Sequence, residues 1–298
     1  GPGRHFLQAS QNPNDAEQGL PGSDLLWPGE FVFGYPQQDE TDIDRPGPIA
    51  DGGLPFMKNG SFMAFRRLAQ SVPEFDQFVE TTADALGMDS ALLGARLIGR
   101  WKSGAPLEIA PLQDDVNLAS DPLENNDFEF DGDPKGRRCP FAAHIRKAYP
   151  RNDITALGQT RDESEADTQT HRVLRRGIPF GSEVGDAPVT VPSGSIPSTD
   201  PGRGLMFVCY QTSIEQQFQF IQKHWFNDPT FAPSGDNPGF DPILGQFPDQ
   251  RPFQGAVPSY PTGDRGAQIA LSQNFVVPTG GGYFFMPSLS ALANVLSQ

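Results

Sequence analysis

Arg138-Cys139-Pro140-Phe141-Ala142-Ala143-His144-Ile145-Arg146-Lys147 is the stretch around which the other 288 residues are best read. Pro140 to Ala143 form a small, apolar lead-in that lets the backbone come close to something flat and greasy. His144 then offers an imidazole, and Arg146 and Lys147 place two cations directly after it. A neutral imidazole to ligate iron, apolar walls for a ring and cations for its carboxylates are what haem requires. A lone histidine in apolar surroundings is more often a structural residue, so its context has to carry the inference.

Composition narrows the field. The chain has 298 residues, long enough for a large core and for one or two domains. Gly (32) and Pro (30) together exceed a fifth of it, while 23 Phe supply large areas to bury, which describes a loop-rich globular body. A net charge of −15 repels phosphate backbones and anionic membranes, so neither nucleic acid nor a membrane is expected as a partner. Cys139 and Cys209 each sit in an apolar run and read as buried free thiols, because two cysteines make no disulfide scaffold. No run of about eighteen apolar residues marks a membrane span. Nothing in the sequence decides between a secreted and a cytoplasmic protein.

Outward from the central stretch, residues 1–60 are rich in Pro, Gly, Asn and Asp and predict an extended connector pinned by Trp27 and Phe31. Residues 61–298 form the domain proper. Alternation predicts a strand from Ser61 to Leu68. Helical spacing predicts one helix from Pro73 to Gly87 and a second from Asp89 to Gly99. Residues 111–137 are acidic and turn-rich, and residues 151–170 predict a polar surface loop. A strand is expected from Val173 through Pro179, and a central strand buried on both faces from Leu205 to Gln211. Ser213-Ile214-Glu215-Gln216 has the form of a capping box opening a helix whose stripe is Ile214, Phe218, Ile221 and Trp225. Gly280-Gly281-Gly282 predicts a hairpin between Phe275–Val277 and Tyr283–Met286, followed by a helix over 288–296. Periodicity thus points to an α+β fold with helices on one face of an antiparallel sheet and long irregular loops.

At this point the residues carry a resemblance. RCPFAAHIRKAYPRND (138–153) resembles the proximal haem segment of dye-decolourising (DyP-type) peroxidases, and HRVLRRGIPFG (171–181) resembles their distal-arginine strand. It continues in LLWPGEFVFGYP, GSFMAFRRL, GRWKSGAPL, GLMFVCYQ, GFDPILGQ and FVVPTGGGYFFMPS, in the family's order and over nearly the whole chain. The resemblance implies a ferredoxin-like sheet of the dimeric α+β barrel kind, haem b (iron protoporphyrin IX) between sheet and helices, hydrogen peroxide as oxidant, and bulky aromatic or phenolic reductants.

It also implies roles. His144 would be the iron ligand, and Asp241, in Gly239-Phe240-Asp241-Pro242, the acceptor for its second ring nitrogen; a turn aspartate before proline is the plainer alternative. Arg175 would stabilise the charge that develops as the peroxide bond breaks, with Arg172 and Arg176 as rivals. Arg146 would hold a haem propionate or make a surface salt bridge. Leu205 and Phe207 would shape the distal pocket or simply be core. Tyr149, Trp101, Tyr210 and Trp225 are candidates for relaying an electron to the surface, though most aromatics only pack. His171 and His224 read as structural.

One departure matters. The family's GxxDG aspartate, which moves the proton during peroxide cleavage, has no counterpart in this sequence. The expectation is therefore a peroxidase completed by an N-terminal half, on the same polypeptide or a separate chain. The alternatives are a haem-binding protein with little peroxidase activity and an interaction domain without haem.

Overall fold

The computed structural model describes residues 20–184, 201–233, 237–246, 250–261, 263 and 266–297. The expected connector is only partly within them, and it is not featureless. Strands β1 (Pro36–Gln38) and β2 (Pro46–Ile49) form an antiparallel hairpin. Leu26, Phe31 and Phe33 are buried, and the Thr212 amide donates to the Glu30 carbonyl at 3.0 Å, so this stretch is held to the body. Phe31 is a pin as expected, whereas Trp27 stays half-buried.

The next three elements follow the sequence closely. β3 (Ser61–Gln70) leads into α1 (Val72–Leu86) and α2 (Ser90–Ile98). Gly87, at φ +65°, ends α1, and the Asp89 side chain caps α2 by accepting from the Ala91 amide. Gly99 closes α2 at φ +92°, and a Cβ there would stand 2.4 Å from the Ile145 side chain. Only glycine lets the end of α2 lie so close to the histidine segment.

After α3 (Val116–Ser120) and α4 (His144–Ala148), the predicted surface loop is in part a helix, α5 (Arg161–Thr170). Thr160 and Glu163 form a full capping box. The face α5 buries is Ser164, Ala166, Thr168 and Gln169, so an apolar stripe could not reveal it. Hydrogen bonding replaces hydrophobic burial there: Ser164 Oγ donates to Gln159 at 2.8 Å, and Gln38 Nε2 donates to Gln169 at 2.7 Å.

β4 (Leu174–Phe180) and β5 (Gly204–Gln211) join β3 in a sheet of order β4-β5-β3-β8, antiparallel throughout. β5 is central, as its composition suggested, but it is not buried on both faces, because Met206 is 38% exposed. The helix from Ile214 to Phe226 is mostly π-wound. Its start departs from the expected capping box. Ser213 accepts from the Gln216 amide, but the reciprocal contact comes from Gln217, whose Oε1 accepts from the Ser213 amide at 2.8 Å. Phe218, Ile221 and Trp225 are its buried stripe.

β6 (Arg251–Gln254) and β7 (Gln268–Leu271) pair separately, and β8 (Val276–Met286) completes the main sheet before α6 (Leu289–Ala291) and a π turn. The expected glycine hairpin does not exist: Gly280, Gly281 and Gly282 lie inside β8, opposite Arg67, Arg66 and Phe65. The reason is steric. A Cβ on Gly281 would fall 2.3 Å from the Phe65 carbonyl, and the bare backbone leaves room for Arg66 to lie on the rings of Phe218 and Tyr283 at 4.8 and 4.7 Å.

The register sorts the sheet's two faces. Ala64, Arg66, Leu68, Arg175, Leu205, Phe207 and Cys209 share the face packed against the π-wound helix. Met63, Phe65, Arg176, Ile178, Met206 and Phe284 share the other, where Ile178 is 59% and Phe284 49% exposed. Both cysteines are free and buried. No helix among the described residues is long and apolar enough to cross a membrane.

Candidate active site

The position of His144 is set by a carboxylate upstream. Asp133 accepts from the amides of Arg137, Arg138 and Cys139 at 2.7–3.1 Å, drawing residues 137–139 into a tight loop. Ala142 and Ala143 are fully buried, and α4 begins at His144. Lys147, one turn on, is also buried, with Nζ donating to the carbonyls of Trp225 at 3.1 Å and Asp228 at 2.6 Å. Burial pushes its amine down to about 7. These contacts tie α4 to the C-terminal end of the π-wound helix.

His144 Nδ1 lies 2.8 Å from Asp241 Oδ2. The other oxygen of Asp241 accepts from the amides of Ile243 and Leu244 at 2.8 and 2.6 Å. Burial opposes ionisation of Asp241, but His144 and these amides outweigh it and hold the carboxyl below its usual range. A carboxylate can only accept, so Nδ1 carries a proton, and in the neutral tautomer this selects it is Nε2 that bears the lone pair.

His144 lines a cavity of about 630 Å³, within the range of about 300–1,000 Å³ usual for cofactor sites. Arg175, Leu205 and Phe207 line it too, from the inner face of the sheet. Gly177 makes room for this wall, since a Cβ there would stand 3.0 Å from the Leu205 side chain. Phe31, Phe218, Ile221, Trp225 and Phe226 supply further apolar lining.

The arginines divide sharply. Arg172 pairs with Asp24 and lies over the Tyr149 ring at 3.9 Å, while the Tyr149 hydroxyl donates to the same carboxylate. All three residues line the cavity, and Asp24 belongs to a stretch where sequence reasoning looked for no site residue. The Arg175 guanidinium has no hydrogen-bond partner among the described residues. Arg176 points to the sheet's outer face.

Arg146 is not where a propionate contact would require it. It is buried, lines no part of the cavity, and spends all five N–H donors inside the fold. Nε and Nη2 reach the two oxygens of Asp153 at 2.6 and 2.8 Å, and Nη1 reaches Asp133 at 3.0 Å and the Cys139 carbonyl at 2.6 Å. Nη2 also donates to the Asp133 carbonyl at 3.0 Å. Burial would lower its pKa, but Asp153 and the other partners push it above the ordinary arginine value. Nothing local in the sequence distinguishes Asp133 from the other acids of 111–137.

Of the four aromatic candidates, Tyr149 and Trp225 line the cavity. Trp101 is buried in a separate cluster and donates to the Ala110 carbonyl at 2.8 Å, and Tyr210 is paired in register with Met63. His171 stacks on Phe220 at 3.6 Å. No group of three or more His, Cys, Asp or Glu among the described residues could hold a metal ion, so a metal here would need a carrier that supplies its other ligands.

The chain matches the family model described as Dyp-type peroxidase, C-terminal, over residues 34–232. It is 40% identical over 306 residues to Peroxidase 2 of Mycetinis scorodonius, covering 98% of this chain and 56% of that protein. A solved ancestral D-type dye decolorizing peroxidase superposes with a TM-score of 0.74 at 40% identity, covering 98% of this chain and 62% of the other. A dye-decolorizing peroxidase solved in complex with 2,6-dimethoxyphenol superposes with the same TM-score at 34% identity, covering 99% and 64%. The chain spans about half the length of the curated relatives it matches.

Proposed function

Because the chain belongs to the Dyp-type peroxidase family, a haem family, we propose that it holds haem b in the cavity beside His144 and acts on hydrogen peroxide and aromatic or phenolic reductants. The observation that carries this reading is the His144–Asp241 contact. It leaves one imidazole lone pair, held by a buried carboxylate, beside a cavity of cofactor size and largely apolar lining. Bound haem supplies the reduction of peroxide and the one-electron oxidation of the reductant.

The chain's own residues do the rest. His144 Nε2 ligates the iron, and Asp241 fixes the tautomer and makes the imidazole a stronger electron donor. Arg175, with its donors uncommitted, stabilises negative charge as the peroxide O–O bond breaks. Leu205 and Phe207 restrict access to small oxidants. An arginine cannot shuttle the proton, since its pKa stays above about 12. In this reading a GxxDG aspartate does so, carried by a further segment of the same polypeptide or by a partner chain. The second reading, haem binding with weak turnover, describes the chain without that aspartate.

Reconstitution with haem tests the proposal. The chain is expected to bind haem with a Soret band characteristic of histidine ligation, and His144→Ala to lose it on gel filtration. A His144→Ala variant that keeps the same band would refute the assignment.

A further inference from the structure

The turn that carries Asp241 has its amides and its carbonyls committed to different partners. The amides of Ile243 and Leu244 hold Oδ1 of Asp241, which leaves Oδ2 for the imidazole of His144. The carbonyls converge on Arg251 of β6. Its Nη1 donates to those of Asp241 at 3.1 Å, Pro242 at 3.4 Å and Gly245 at 2.7 Å, and its Nη2 to that of Gln273 at 2.5 Å. Asp241 and Arg251 are both fully buried.

Every partner of Arg251 among the described residues is a backbone carbonyl. Taking a guanidinium out of water without a contacting carboxylate is expensive, and neutral donors suffice for lone carbonyls. The expense is matched by a use of both fork and charge: the fork gathers one turn, and the charge offsets the buried carboxylate that the turn presents. Burial pulls the Arg251 pKa down to about 10, with Asp241 acting the other way, so it stays a cation at neutral pH. The turn itself is tight. A Cβ on Gly245 would stand 2.5 Å from the Asp241 carbonyl, which accepts from the Gly245 amide as well as from Arg251. Pairing of β6 with β7, Arg251 opposite Leu271, fixes the backbone from which the arginine reaches.

We propose that Arg251 is a positioning residue for the His144–Asp241 pair, gathering the carbonyls of turn 241–245 so that the Asp241 carboxylate stays within hydrogen-bond reach of Nδ1. Arg251 does not line the cavity, and it acts on the imidazole only through Asp241. Its bearing on haem rests on the reading of His144 as the iron ligand, whereas its bearing on the imidazole contact does not.

Nuclear magnetic resonance of the haem-free full chain, labelled at histidine, is the first test, because only four histidines contribute signals. The Nδ1–H resonance of His144, identified by its loss in His144→Gln, is expected far downfield and slow to exchange. Arg251→Gln should move it upfield and open it to solvent exchange, and Arg251→Lys, which keeps the charge but not the fork, should fall between. Circular dichroism checks folding, and should Arg251→Gln fail to fold, Arg251→Lys is read in its place. The haem-loaded chain separates positioning from general destabilisation. Arg251→Gln should weaken haem retention by about tenfold and raise the iron's reduction potential. On an Asp241→Asn background the same change should alter retention by less than about twofold and leave the potential where it is. A wild-type Nδ1–H resonance in the folded variant, or an Arg251 effect undiminished on the Asp241→Asn background, would overturn the proposal. If the unsubstituted chain failed to bind haem, the reading of His144 as ligand would fall, while the imidazole resonance would still decide for or against Arg251.

Discussion

Arg146 and Arg175 carry the same guanidinium and were both expected at the cofactor, but the fold uses them in opposite ways. Arg146 follows His144 by two residues on α4, and each of its donors ends on Asp133, Asp153 or a backbone carbonyl. Arg175 lies on β4 beside the cavity, its guanidinium without a hydrogen-bond partner among the described residues. Arg172 falls between them, lining the cavity but committed to Asp24. Proximity in sequence to His144 is thus a poor guide to a cation's role. What counts is whether its donors are already satisfied. A saturated buried cation holds the scaffold, whereas an unsatisfied one at a cavity is available to chemistry.

The contrast breaks most readily at Arg146. Arg146→Leu strands the Asp133 and Asp153 carboxylates in the interior and should cost ~3–5 kcal/mol in urea unfolding. A loss below about 1 kcal/mol, the range of surface pairs, would mean that the cluster is not structural. Arg175→Leu should leave the fold and haem content intact and lower peroxide turnover by ~10²–10³ in stopped-flow measurements. An unchanged rate there, beside a slowed Arg172→Leu, would transfer the role to Arg172. Asp241→Asn sharpens the comparison on the histidine side. It should weaken haem retention by ~10–100-fold and raise the iron's reduction potential, because an amide is a poorer acceptor for Nδ1–H. Wild-type retention and potential in that variant would make Asp241 an ordinary turn residue.

What was legible in the sequence had local causes. Gly87 and Gly99 end helices by conformations that glycine adopts readily, and Asp89 caps the next helix with its own side chain. The expected contact between His144 and Asp241 is there, at 2.8 Å, an imidazole beside a carboxylate that can only accept from it. What escaped depended on partners distant in sequence. The three glycines of β8 read as a turn until Phe65, Arg66 and Arg67 are paired with them across the sheet. α5 hides because the face it buries is mostly polar, so burial leaves no apolar period to detect. The Arg146 cluster is invisible because its carboxylates lie 13 residues before it and 7 after it, in segments with no period of their own.

The outer face of the sheet has a bearing on how this polypeptide behaves at the bench. Met206, Ile178, Phe284 and Met286 form a greasy plate, and β4 and β8 are its open edges. A net charge of −15 keeps copies apart near neutral pH. As acid titrates the carboxylates toward the isoelectric point near 4.6, that repulsion fades while the plate stays sticky. Acidic buffer and high salt therefore work against colloidal stability together, and purification belongs at mildly alkaline pH and modest ionic strength.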